Sequence, residues 1–345
     1  MVPYILAFGF AMLMSYAIQK NKKYKSNAWL LAILIVGMAL FIGFRFNVGT
    51  DYGSYYRTYE KYSRMSWGEL LVVDDPGLRI IAKLSSYLID SPITMFVIAA
   101  LIFCSLFITS IYEYTENFLF AMFLFVCSGT FLEAFNGVKQ ATAMAIIFYG
   151  FRFIKQKSFI KYLITILIAT IFHSTAIVMV VLYWLFSLKS TKFNLVLVLV
   201  VSVALSSSYE LLFTLVEAIT GKKVNLEYTY YVTQVNVFRV AFAVAPCIVL
   251  FLMKEKDRVN NSHFCNMLVF NAALMVITSS SAFLARIGMY STAFISISLV
   301  TLKGKIMTNR NTKSIIDMGI IVLYFVFFIV SVLRTADLYP YQLFF

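Results

Sequence analysis

WLLAILIVGMALFIG, residues 29–43, runs without a break into FRFNVGTDYGSYY, residues 44–56, and this junction decides the fold. The first segment carries no charge, whereas the second brings an arginine, a Gly-Thr-Asp turn and a row of tyrosines. A helix needs roughly 20 apolar residues to cross a hydrocarbon core of about 30 Å, and lipid offers the backbone no hydrogen-bond partner, so such runs must be helical. Similar runs recur along the chain, at 2–18, 28–44, 92–112, 117–132, 138–154, 159–172, 174–188, 193–207, 236–253, 263–282, 287–302 and 314–333.

The pattern predicts an all-α polytopic integral membrane protein. About twelve transmembrane helices form one bundle and a single domain over 1–345, with both termini outside. Composition agrees: of 345 residues 61% are hydrophobic and 13% charged, with 34 Phe, 22 Tyr and 5 Pro, far from soluble usage. The formal charge of +13 belongs to short connections rather than to a basic soluble face, which argues against nucleic acid as a partner. Cys104, Cys127, Cys247 and Cys265 all lie inside apolar runs, where a thiol acts as a small hydrophobe. The start of the chain has no basic segment before its apolar run and no small-residue cleavage site, so a first span is expected there rather than a cleaved leader.

Orientation follows from the basic residues. If KNKKYK after the first run is cytoplasmic, alternate connections are too. They hold Lys20, Lys22, Lys23, Lys25, Arg152, Lys155, Lys157, Lys161, Lys189, Lys192, Lys254, Lys256, Arg258, Lys303, Lys305, Arg310 and Lys313. That is 17 of the 29 Lys and Arg, as the positive-inside rule expects. The opposite, outer side then carries the long loops at about 45–91 and 208–235, with short amphipathic helices, mixed charge and many aromatics. Chemistry is expected to face outward. Residues 159–186 read either as one long tilted helix or as a hairpin turning at His173.

Several polar residues on that side are candidates for function. Arg45 ends the second run, Gly49 is free to take φ > 0, and Asp51 can cap the helix that follows. Tyr52, Tyr55, Tyr56 and Tyr59 fall at helical spacing, as in an interfacial helix or a sugar platform. In FLEAFNGVKQATAMAI, Glu133, Asn136, Lys139 and Gln140 open a span, with the last three expected on nearly one helical face. His173 interrupts an apolar stretch, and Arg239 and Arg286 stand without a nearby acid in sequence. An unpaired guanidinium seeks an anion, and its rigid fork suits phosphate oxygens.

No D-x-D pair, ATP-binding Gly-rich loop or nucleophile elbow is present. An enzyme built on these residues would take a substrate already carried in the membrane.

FRFNVGTDYGSYY resembles the R-x-x-x-G-x-D-x-x-x-Y motif of the EpsG family of Wzy-type polysaccharide polymerases. DPGLRIIAKL (75–84), NGVKQATAMAI (136–146), FHSTAI (172–177) and the terminal LYPYQLFF follow in the order that family shows. One departure is Lys139, where the family usually has arginine; the charge is kept and bidentate geometry lost.

The resemblance implies a glycosyltransferase of the bacterial inner membrane that joins repeat units carried on undecaprenyl diphosphate at the outer face. Its partners would be those lipid-linked glycans, membrane lipid, and chain-length regulator and flippase proteins. On that reading Arg45, Lys139 and Arg286 hold diphosphate, and Asp51 or His173 is the base. Tyr52, Tyr55, Glu133, Asn136, Gln140 and Arg239 bind substrate. No cofactor is implied and no metal is required, because arginines can neutralise the charge a metal would otherwise carry. Two alternatives are a lipid-linked oligosaccharide flippase or exporter, which would show a repeat between halves, and a membrane polysaccharide O-acyltransferase.

Overall fold

A computed structural model describes residues 1–21, 24–206, 214–215, 217–219, 237–278, 282–306, 310–335 and 337–344. Helices account for nearly all of them. In chain order these are α1 Val2–Lys20, α2 Tyr24–Gly43, α3 Tyr52–Arg64, α4 Trp67–Val72, α5 Gly77–Ser86, α6 Pro92–Tyr114, α7 Phe118–Cys127, α8 Thr130–Asn136, α9 Val138–Lys155 and α10 Phe159–Phe172. A 3-10 segment, Ser174–Val181, leads to α11 Leu182–Ser187 and α12 Lys192–Ser206. Then come α13 Val237–Val244, α14 Ile248–Leu252, α15 Glu255–Asn260, α16 Ser262–Ile277, α17 Ala282–Thr292, α18 Ile295–Ile306 and α19 Arg310–Arg334. Strand-like pairing among the described residues is confined to one antiparallel bridge, Arg45 with Leu343.

The chain divides into two compact units. The first comprises Met1–Tyr149, Leu167–Ser174 and Gly319–Phe345; the second comprises Gly150–Ile166 and Thr175–Met318.

Each predicted apolar run meets helix where it is described, but not as twelve uniform rods. Three described helices are long and apolar enough to cross a membrane: Val2–Lys20, Pro92–Tyr114 and Asp317–Arg334. The pair α7 and α8, bent by 41° at Ser128-Gly129, makes a fourth if counted as one broken span. Gly129 at φ 94° is the residue that permits the bend. Six shorter apolar helices, among them Lys192–Ser206 and Ser262–Ile277, have the composition but not the length.

Within the first unit successive helices alternate in direction. At one end Asn27 of α2 donates to Tyr112 Oη near the end of α6 at 3.0 Å, and Gln19 of α1 accepts from the Leu119 amide of α7 at 2.8 Å. At the other end Gly43 packs so tightly on α6 that a Cβ would lie 2.5 Å from Val97, while Tyr4 Oη donates to Leu338 O at 2.7 Å. The helices α3, α4 and α5 and the C-terminal tail gather at this second end.

Residues 159–186 form a hairpin. Tyr162 Oη donates to Met179 O at 2.8 Å, and Phe159 packs against Tyr183 and Trp184 with ring centroids 5.1 and 5.2 Å apart. Such pairing of early with late residues excludes one continuous helix. The turn falls at His173, whose amide closes α10 on Ala169 O.

Candidate functional site

The FRFNVGTDYGSYY segment is built into the first unit rather than laid on its surface. Arg45 is fully buried. Its Nη1 donates to Ile42 O at 2.7 Å, satisfying a carbonyl that the end of α2 leaves open. Nε donates to Val48 O at 3.0 Å and Nη2 to Phe135 O at 3.4 Å. The rings of Phe96, Phe135 and Tyr52 surround it at 4.9, 5.4 and 5.7 Å from their centroids. Burial draws the guanidinium down to about 10, with Tyr52 and Tyr341 pulling the other way, so it stays charged at neutral pH. The adjoining cavity, walled by Phe96, Phe103 and Val138, measures about 10 Å³ and has room for about one water. In this geometry Arg45 clamps the loop to α8, with Nε, Nη1 and Nη2 all donating to backbone carbonyls.

The rest of the loop follows the clamp. Gly49 takes φ 99°, as expected, and a Cβ there would sit 1.9 Å from Phe135 O. The Gly49 amide donates to Asp337 O at 2.7 Å, and the Thr50 amide to Asn136 Oδ1 at 3.2 Å. The C-terminal tail closes the other side: Phe46 N donates to Gln342 O, Phe344 N to Phe44 O, and Tyr341 stacks on Phe41 at 4.6 Å. Asp51 occupies the first position before α3 but makes no capping bond with its carboxylate, contrary to the expected cap.

Helix α3, which carries the expected row of tyrosines, packs one face on α5 and α6. Tyr52 and Tyr59 are buried with Leu78, Ile81, Met95, Phe96 and Val138, and Tyr55, Tyr56, Tyr62 and Phe172 close the edge of that cluster. The Tyr52 ring stacks on Phe96 at 4.9 Å and on Tyr56 at 5.8 Å. Tyr55 is half-buried at the rim.

One apolar cluster therefore brings together α3, α5, α6, α9 and the end of α10, and on three of these a cation or histidine adjoins the packed residue. On α5, Arg79 follows Leu78. Its guanidinium lies 5.1 Å from the Tyr62 ring centroid, and its Nε and Nη1 are buried without a hydrogen-bond partner. On α9, Lys139 follows Val138. Burial alone would raise the Tyr62 phenol, but hydrogen bonds with Thr58 and Arg79 and the charges of Arg79 and Lys139 outweigh it and hold it below the usual value. At the hairpin tip, His173 follows Phe172, whose ring sits against Gly77 where a Cβ would lie 2.6 Å away. The Ser174 amide donates to Asp75 Oδ1 at 2.8 Å, tying the tip to the DPGLR segment.

A correction concerns 131–146. Asn136, Lys139 and Gln140 do not share one continuous helix, because the chain breaks at Gly137. Asn136 ends α8, while Lys139 and Gln140 start α9. Asn136 holds the loop, Gln140 is buried, and Glu133 and Lys139 are half-buried. Arg286 belongs to the second unit, on α17, with an exposed side chain. The side chain of Arg239 lies outside the described residues.

Sequence reasoning missed Arg79 and Tyr62. Both lie inside stretches that drew attention, but only the pairing of α3 with α5 makes them neighbours.

The fold and this cluster define a class: a helical membrane protein with cations, a carboxylate and a histidine at one end of its first unit. The model of one family, the EpsG family, matches residues 28–343, and the chain belongs to that family. It is the family of Wzy-type polysaccharide polymerases. No curated protein and no solved structure matches the chain. Membership points to a polysaccharide polymerase with a lipid-linked substrate.

Proposed function

We propose that this protein joins oligosaccharide repeat units carried on undecaprenyl diphosphate, at the outer face of the bacterial inner membrane. The chain is one transmembrane domain of about twelve spans, short or broken helices among them, with both termini outside. In the reaction the anomeric carbon of the growing glycan leaves its diphosphate oxygen and bonds to a hydroxyl of the incoming lipid-linked unit. Undecaprenyl diphosphate departs with the electron pair of the broken C–O bond, and the hydroxyl proton passes to a base.

A diphosphate ionises without a general acid. The site must therefore supply positive charge for the leaving group and an acceptor for the proton. Lys139, Arg79 and Arg286 are the cations of this proposal, and Asp51 or His173 is the base. Tyr55, Glu133, Asn136, Gln140 and Arg239 orient the sugars. Tyr52 and Arg45 act by position: Arg45 fixes the loop that presents Asp51, through its bonds to Ile42, Val48 and Phe135.

The observation that supports this reading most is the gathering of Arg79, Lys139 and His173 around one packed cluster, through Leu78, Val138 and Phe172. The test is polymer formation by purified protein supplied with lipid-linked repeat units. Long polymer is expected from wild type, in the presence of excess EDTA as well. Asp51→Asn and Arg286→Ala, folded, should make little. Wild-type polymer from both variants would overturn the site, and loss of activity in EDTA would overturn the metal-free mechanism. Translocation or acylation without polymer would favour the flippase or acyltransferase reading.

A further inference from the structure

The stretch between Trp67 and Ile89 carries a patch that the reaction does not use. Trp67 is 44% exposed, Leu71 68%, Val72 90%, Tyr87 66%, Leu88 72% and Ile89 66%. Six large apolar side chains on 23 residues of connecting chain are more than water-facing loops ordinarily show.

One buried cation ties the patch together. Lys83 of α5 donates through Nζ to Met65 O at 2.6 Å, which closes the end of α3. The same ammonium lies 5.5 Å from the Trp67 ring centroid and 5.8 Å from that of Tyr87. Trp67 and Tyr87, from either side of α5, thus share one charge and one face of the unit.

Two features on the page identify what covers that face. The first is continuity. The candidate span α6 begins at Pro92, three residues after Ile89. At no more than about 3.6 Å per residue, Ile89 lies within roughly 11 Å of the start of that span. Tyr59 Oη donates to Asp90 Oδ1 at 3.2 Å and Ser91 caps α6, so this short link is held in place. The second is chemistry. Trp and Tyr are the side chains that settle at the level of lipid headgroups.

We propose that α4 and the end of α5 form a monotopic anchor resting in the lipid leaflet that borders the start of α6, with Trp67, Tyr87 and Lys83 at headgroup depth and Leu71, Val72, Leu88 and Ile89 in the upper acyl region. On the function proposed above, the anchor holds α3 and α5, with Tyr62 and Arg79, at the depth where a lipid-borne diphosphate lies. The anchor itself is defined by depth alone, and its test does not depend on activity.

The protein has three tryptophans, Trp29, Trp67 and Trp184. Full-length protein with Trp29→Phe and Trp184→Phe is reconstituted into phosphatidylethanolamine and phosphatidylglycerol vesicles whose acyl chains carry bromine at graded depths. Trp67 emission should be blue-shifted and quenched most by the shallowest bromines, less by deeper ones, and several-fold less by aqueous acrylamide. Quenching by acrylamide with none from brominated lipid would place the indole in water and overturn the anchor. Quenching by neither would mean that protein, a second copy included, covers the face, and overturns it equally. A second probe guards against misfolding of the tryptophan variant. The native cysteines are all buried, so Leu88→Cys in the otherwise wild-type chain accepts a fluorescent thiol label, which should give the same depth pattern.

Discussion

Arg45 and Arg79 stand at the same end of the first unit in opposite circumstances. The Arg45 side chain is enclosed by three aromatic rings and spends its donors on three backbone carbonyls, one of them 90 residues away in sequence. Arg79 is cradled by a single phenol, and two of its nitrogens are buried without a partner. A guanidinium with satisfied donors holds a fold together, whereas one with orphaned donors costs stability unless something else completes it. The comparison separates architecture from chemistry at a site where the sequence offers both simply as arginines.

The largest expected effect breaks the Arg45 half. Arg45→Ala leaves the carbonyls of Ile42, Val48 and Phe135 buried and unpaired and should cost roughly 3–5 kcal/mol. Thermal unfolding in detergent should show a large drop in Tm, with Arg45→Lys recovering only part because one ammonium cannot serve three divergent acceptors. Near wild-type stability for Arg45→Ala would refute the clamp.

Gly49→Ala comes next. It adds a Cβ 1.9 Å from Phe135 O at a φ of 99°. The penalty should exceed the ~1 kcal/mol of an average substitution, measured by the same melt.

Arg79→Gln sharpens the other half. Removing a guanidinium with two buried, unpartnered nitrogens should leave Tm unchanged or slightly raised. Polymerisation should still fall by about tenfold or more, the worth of one charge-assisted hydrogen bond at about 1.5–3 kcal/mol. A large fall in Tm with unaltered specific activity would make Arg79 structural, like Arg45.

The smallest effect belongs to Tyr341→Phe, which keeps the stack on Phe41 but deletes the 2.6 Å hydrogen bond to Phe41 O. About 1 kcal/mol is expected, detectable as a modest shift in Tm.

Much of this was legible in sequence. Apolar runs located the helices, the Gly49 turn has the backbone it called for, and the hairpin reading of 159–186 was one of two the pattern allowed. Helix continuity was less legible: Gly137 splits the expected face of Asn136, Lys139 and Gln140, and Gly129 bends another run. These breaks depend on tertiary packing that outweighs the local preference for helix. The fate of Arg45 was hidden because one of its carbonyl partners and two of the rings around it come from α6 and α8, and the tail residues near it from some 300 positions away. Asp51 looked like a cap, yet its carboxylate makes no capping bond. Arg79 sat in a quoted motif, but an orphaned donor is a property of three-dimensional packing, which spacing does not encode.

The central claim is glycosyl transfer between lipid-linked units. It is tested most directly by counting undecaprenyl diphosphate released against glycosidic bonds formed, with purified protein and lipid-linked repeats as sole substrates. One carrier diphosphate released per new linkage, falling together with polymer in Arg79→Gln, is the result this account predicts. Repeat units crossing the membrane intact, with neither polymer nor released carrier, would contradict it.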